Sequence, residues 1–250
     1  MELVLLTALG VGGATVVGAI IGFFVKDVNH KTNDCILGFA AGIMLAAAVI
    51  GLIVPAFDAV SISMLWLPVV GIFTGAFFLN LMDKLTPHLH KLSGVDSEEH
   101  TNNRNISRAM LFVMAVALHN LPEGMAAGVS FGNEDVSAAI TVAVGIALQN
   151  IPEGIVTVSP LVMSGVKRSR AFVLAAATGL IEVLGTFVGF YMAEVSMHVL
   201  PFALAFAGGT MLYIISDEMI PETHSHGYER MATYSVLIGF TVMLMLDVVL

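Results

Sequence analysis

LHNLPEGMAAG, from Leu118 to Gly128, and its near copy LQNIPEG, from Leu148 to Gly154, decide how this chain is to be read. The two lie thirty residues apart and share one pattern: a metal-capable polar residue (His119, Gln149), an asparagine (Asn120, Asn150), a proline (Pro122, Pro152) and a glutamate (Glu123, Glu153). Residues four apart on a helix stack on one face, so His119 falls over Glu123 and Gln149 over Glu153. Proline offers no N–H to the carbonyl four residues earlier, so the carbonyls of Leu118 and Leu148 are expected to be freed and both helices interrupted by a kink. Both copies lie inside apolar runs of bilayer length, where ionisable groups are costly and mark function.

Working outward, 57% of the 250 residues are hydrophobic and 12% charged, which excludes an ordinary soluble domain. Apolar segments at roughly 3–25, 36–54, 64–83, 108–131, 136–164, 171–193, 199–220 and 232–250 predict an all-α integral membrane fold of eight transmembrane helices, one polytopic unit over 1–250. The first run has no basic stretch before it and exceeds a signal-peptide core, so it reads as a retained span. All ten Lys and Arg residues fall in alternate connections, which makes those loops cytoplasmic and puts both termini outside. The one long connection, Thr86 to Ser107, is polar and carries His88, His90 and His100; it reads as a flexible cytoplasmic loop whose histidines either bind metal weakly or are simply solvated. A single cysteine, Cys35, excludes an internal disulfide and a Cys-based zinc site.

An internal repeat is also legible. FAAGIML at Phe39–Leu45 recurs as FAGGTML at Phe206–Leu212, and the same offset of 167 carries Gly18 and Gly22 onto Gly185 and Gly189. Helices 1–3 and 6–8 are therefore expected to be copies of inverted topology, with helices 4 and 5 as antiparallel twins. Inverted repeats with polar, broken helices at the centre are a transporter pattern, and they place the substrate near the midplane.

His119, Gln149, Glu182 and Met44 all fall near the middle of their spans, so they can share a site. Glu182 stands where the repeat would put a residue like Thr15. The central set is then His119, the carboxylates of Glu123, Glu153 and Glu182, the amides of Asn120, Gln149 and Asn150, and the thioether of Met44, which reads at least as readily as packing. Imidazole nitrogen with carboxylate oxygen suits a borderline divalent metal. Asp58 at the outer end of helix 2 is a candidate entrance, and Glu218, Glu222, His224 and His226 in DEMIPETHSHG are candidates for an exit, each also readable as plain surface charge. Neither a Walker A sequence nor HExxH is present, so the chain is read as a non-enzyme. Its expected partners are divalent metal ions and the lipid bilayer, with no nucleic acid. A metal-selective channel or a metal-sensing membrane protein is the alternative, and an intramembrane metalloenzyme stands behind both.

With HNLPEG, QNIPEG, GIML, the Glu182 segment and DEMIPETH on the page, the chain resembles the ZIP (Zrt/Irt-like) family of divalent metal transporters, nearest its bacterial GufA-type branch. The resemblance implies uptake of Zn²⁺, and of Fe²⁺, Mn²⁺, Co²⁺ or Cd²⁺, toward the cytoplasm across a bacterial inner membrane, the metal being cargo and not a cofactor. It implies a binuclear centre: one metal touching Met44, His119, Glu123, Gln149 and Glu153, the second Asn120, Glu123, Asn150, Glu153 and Glu182, with Glu123 and Glu153 bridging. Some relatives carry aspartate where this chain has Asn150, so the second position here has one fewer negative charge. The family also implies a 3+2+3 helix arrangement, a possible homodimer and elevator-like motion.

Overall fold

A computed structural model of the chain describes residues 1–25, 29–92, 103–132, 135–163, 165–195 and 199–250, and among these it contains helices and turns with no strand. The long helices are α1 (Glu2–Phe24), α2 (His30–Asp58), α3 (Trp66–Leu92), α4 (Asn103–Val129), α5 (Val136–Met163), α6 (Arg168–Val195), α7 (Leu200–Thr223) and α8 (Glu229–Val249). Among the described residues seven helices, α1–α3 and α5–α8, are long and apolar enough to cross a membrane.

Local chemistry sets the helix ends. The Asn29 side chain accepts from the backbone N–H of Thr32 at 2.8 Å to start α2, and Asp135 accepts from Ser137 and Ala138 at 2.9 and 3.2 Å to start α5. The tight turns after α5 and after α7 use Gly165 (φ 90°) and Gly227 (φ 86°), a backbone region that side chains disfavour.

Two expectations are corrected. α3 runs on to Leu92 and α4 begins at Asn103, so Thr86–Leu92, with His88 and His90, and Asn103–Ser107 are helical and not loop. What remains of the connection, 93–102 with His100, lies outside the described residues. Nor do Pro122 and Pro152 interrupt their helices, since α4 and α5 continue through both. Each proline removes one bond, whereas ending the helix at bilayer depth would strand several backbone groups. The irregular turns lie elsewhere, as π-helical segments Ala47–Ile53 in α2 and Ile215–Met219 in α7, each shortly before a proline, Pro55 or Pro221.

Packing follows the sequence repeat. α4 lies along α6 as α5 lies along α1, α2 lies along α8 as α7 lies along α3, and α1 crosses α6. Small residues allow backbone to meet backbone at these contacts. A Cβ on Gly18 would fall 2.2 Å from the Ile151 carbonyl, and one on Gly185 2.4 Å from that of Leu121. Likewise Gly42 meets the Val236 carbonyl and Gly209 that of Ile72, at 2.0 and 2.3 Å. Gly18 and Gly185, like Gly42 and Gly209, are related by the offset of 167; their partners Ile151 and Leu121 are thirty apart, and Val236 and Ile72 are 164 apart. The α1, α4, α5, α6 group thus packs against α2 and α7, and between them an apolar block including Leu52, Ala127, Val142, Ile146, Leu200 and Leu204 fills the half of the bundle near the C-terminal end of α4.

Candidate metal centre

Each motif glutamate is followed by a glycine that seats its helix. A Cβ on Gly124 would fall 2.1 Å from the carbonyl of Glu182, and one on Gly154 2.4 Å from that of Thr15. α4 therefore rests on α6 at Glu182, and α5 rests on α1 at Thr15. These two supporting residues, equivalent in the repeat, meet each other: Thr15 Oγ1 donates to Glu182 Oε1 at 2.6 Å. Asn120 Nδ2 donates to the same oxygen. Asn150 Nδ2 donates to Glu182 Oε2 at 2.5 Å and to the Val11 carbonyl at 3.2 Å. Glu182 is fully buried, and both its carboxylate oxygens are engaged.

Beside this knot lies a group of polar atoms in a different condition. Five buried acceptor oxygens, Oε1 and Oε2 of Glu123, Oε1 of Gln149, and Oδ1 of Asn120 and Asn150, make no hydrogen bond of ordinary geometry, and the one amide donor beside Glu123, Gln149 Nε2, is likewise without a well-formed bond. A buried polar group left so costs about 1–3 kcal/mol. Oxygen lone pairs gathered without donors form a cradle for positive charge. His119, also buried, has its Nε2 2.9 Å from Oε1 of Glu218 on α7.

A cavity of about 590 Å³ reaches this group, lined by Met44, His119, Glu123, Glu153, Glu218 and Glu222 among others. Its mouth, at Asn33, Glu222 and Ser225, lies where α2 begins and α7 ends, the end of the bundle at which the basic residues gather. Asn120, Gln149, Asn150 and Glu182 sit behind the lining. No three His, Cys, Asp or Glu side chains converge closely enough to hold a metal by themselves among the described residues. Amide oxygens lie behind the cavity and Met44 is buried against it, within the same group.

Two pathway candidates are not brought to the site. Asp58 is exposed at the opposite end, beyond the apolar block. His224 turns away from the cavity: Nδ1 lies 2.9 Å from both Thr223 Oγ1 and the Ile220 carbonyl, and Nε2 3.1 Å from Thr233 Oγ1, so the ring ties α7 to α8. Sequence reasoning missed Thr15 as a partner of Glu182, although the offset of 167 pairs them, and it missed the contact of Glu218 with His119, for which the sequence holds no local signal.

Comparison with known proteins agrees with this architecture. The model of the family described as ZIP Zinc transporter matches residues 90–247. The chain belongs to the ZIP family. It is similar to the zinc transporter GufA of Myxococcus xanthus, 38% identical over 249 residues that cover 97% of each chain. It is also similar to the zinc transporter ZIPB of Bordetella bronchiseptica, at 36% identity over 95% of this chain and 78% of the relative, and to the zinc transporter ZupT of Chlorobaculum parvum, at 37% over 93% and 91%. As a ZIP protein of the GufA type, the chain is an integral membrane protein built on its apolar helices.

Proposed function

We propose that this ZIP chain carries Zn²⁺, with Fe²⁺, Mn²⁺, Co²⁺ or Cd²⁺ as competitors, across a bacterial inner membrane toward the cytoplasm. The observation that carries the reading is the cluster of buried oxygens without donors beside His119, reached by a cavity of about 590 Å³ that opens where α2 begins and α7 ends. Two glutamates neutralise one divalent ion, and the amides replace part of its hydration, which is what a cation needs at mid-bilayer. The cargo is supported by the relatives, which are named zinc transporters.

In this reading α4 is an eighth span, its polar face covered by α6, α1 and α5, and the helices form a 3+2+3 inverted repeat with both termini outside. The basic end is cytoplasmic. The cavity then opens inward, and the apolar block closes the outer side, so alternating access and not a continuous pore moves the ion. The first metal position takes Met44, His119, Glu123, Gln149 and Glu153. The second, with Asn120, Asn150 and Glu182, fills only after both asparagine amides turn their NH₂ groups off Glu182 and present oxygen instead.

Reconstitution in liposomes tests this. Saturable Zn²⁺ uptake with counterflow is expected, abolished by E123Q and by E153Q and retained in part by E182Q. Flux that rises linearly with Zn²⁺ and shows no counterflow would sink the carrier reading.

A further inference from the structure

At the mouth of the cavity, the turn from α7 to α8 folds back on the start of α2. Asp34 on α2 is fully buried; its Oδ1 lies 3.0 Å from Nδ1 of His226, and its Oδ2 has no hydrogen-bond partner. The His226 ring stacks on that of His30, with centroids 4.3 Å apart and planes 20° from parallel. Its other nitrogen, Nε2, lies 3.9 Å from Oε1 of Glu222, one helical turn earlier. The Ser225 hydroxyl, bonded to the Glu222 carbonyl at 2.8 Å, sits 3.2 and 3.3 Å from Nδ1 and Nε2 and so favours neither nitrogen.

A carboxylate buried behind an imidazole holds the proton on Nδ1 and turns the Nε2 lone pair outward, the arrangement that presents a histidine to a metal. Zn–N and Zn–O bonds of about 2.0–2.2 Å at a tetrahedral angle set N and O about 3.4 Å apart, and rotation of Glu222 closes the present 3.9 Å to that separation. The Glu222 side chain is 57% exposed, which leaves room for that rotation. Among the described residues His226 is the hydrogen-bond partner that buried Asp34 meets, and a metal on Nε2 would bring positive charge to that carboxylate through the ring.

We infer that His226 Nε2 and Glu222 form a separate docking site for a divalent cation at the cavity mouth, with Asp34 orienting the ring and His30 supporting it. With two protein ligands, water fills the remaining positions, so the site binds weakly and releases fast. The geometry stands on its own; only its role as a waypoint for cargo rests on the transport reading.

The test uses full-length protein in nanodiscs with the central site disabled by E123Q and E153Q, and Co²⁺ as probe, read by equilibrium dialysis and by relaxation of ¹³Cε1-histidine NMR signals. One weak Co²⁺ per chain is expected. D34N should weaken it by about 10–100-fold, H226A should remove it, and H224A should leave it unchanged. Co²⁺ should broaden the His226 signal, which H226Q identifies should H226A not fold. Equal Co²⁺ binding with and without His226, no binding in the E123Q/E153Q protein, or a His226 signal indifferent to Co²⁺ would each overturn the inference. Absence of liposome transport alongside intact Co²⁺ docking would count against the transport reading alone.

Discussion

Exchanging the chemical identities of Glu182 and Asn150 tests the hydrogen-bonded knot most directly. In the native chain, Asn150 Nδ2 donates to Glu182 Oε2 at 2.5 Å, while Thr15 and Asn120 both donate to Oε1. E182Q sets an NH₂ group among three donors, so in either amide orientation at least one strong bond is lost and a buried donor is stranded. Stranding a buried group costs about 1–3 kcal/mol in soluble proteins, and interhelical bonds in membranes average about 0.6 with a maximum near 1.7. A loss of about 1–2 kcal/mol is therefore expected. N150D alone faces one carboxylate with another and also loses the bond to the Val11 carbonyl, so it should cost at least as much. In the E182Q/N150D double variant the bond runs the other way, from the new amide on α6 to the new carboxylate on α5, and the fit returns except at the Val11 carbonyl. The coupling energy should be about 1–2 kcal/mol, within the range for residues in one network. At about 2–4 °C per kcal/mol, each single variant should melt several degrees below the native protein and the double variant above either. Melting of purified protein in detergent with a chelator present measures this, and losses that simply add in the double variant would refute the knot.

The remaining predictions concern packing and access. G124A places a Cβ 2.1 Å from the Glu182 carbonyl, and ordinary contact requires retreat by about 1.3 Å; a shift of that size in a positioned site costs on the order of 100-fold. Zinc uptake by G124A at normal membrane abundance should fall accordingly, while G10A, with nothing within 4 Å of the added carbon, should keep native uptake. In a C35S background, cysteines replacing Ser61 and Ser169 should label from opposite faces with an impermeant reagent, and labelling from the same face would overturn the proposed orientation. A cysteine replacing Leu37, which lines the cavity, should react with a water-soluble thiol reagent, whereas one replacing Leu52 in the apolar block should be protected; comparable rates would contradict a closed outer half.

What the sequence made legible follows from which forces are local and which are not. Span positions were readable because a bilayer demands long apolar runs, and α2, α5 and α7 fall where those runs lie. The repeat was readable because close helix crossings demand small residues in register, as Gly18 and Gly185 display. His119, Glu123, Gln149 and Glu153 stood out because nothing apolar explains them. Pro122 and Pro152 misled because their local penalty is one bond, whereas the cost of breaking a helix in the bilayer is set by everything around it. The π-helical turns, the bond of Thr15 to Glu182 and the turn of His224 toward Thr233 depend on partners far away in sequence, so no local pattern could announce them.

The meeting of Thr15 with Glu182 bears on how such a chain can arise from duplicated halves. In the proposed inverted repeat Thr15 and Glu182 hold equivalent positions 167 residues apart, so whatever one copy places there is set against its own counterpart. Two glutamates would press carboxylate on carboxylate with no donor between them, and two threonines would leave the amides of Asn120 and Asn150 without the acceptor they share. A self-identical ancestor could satisfy neither arrangement fully, whereas one hydroxyl opposite one carboxylate does. Two copies within one chain can differ at these positions, whereas a dimer of identical halves could not.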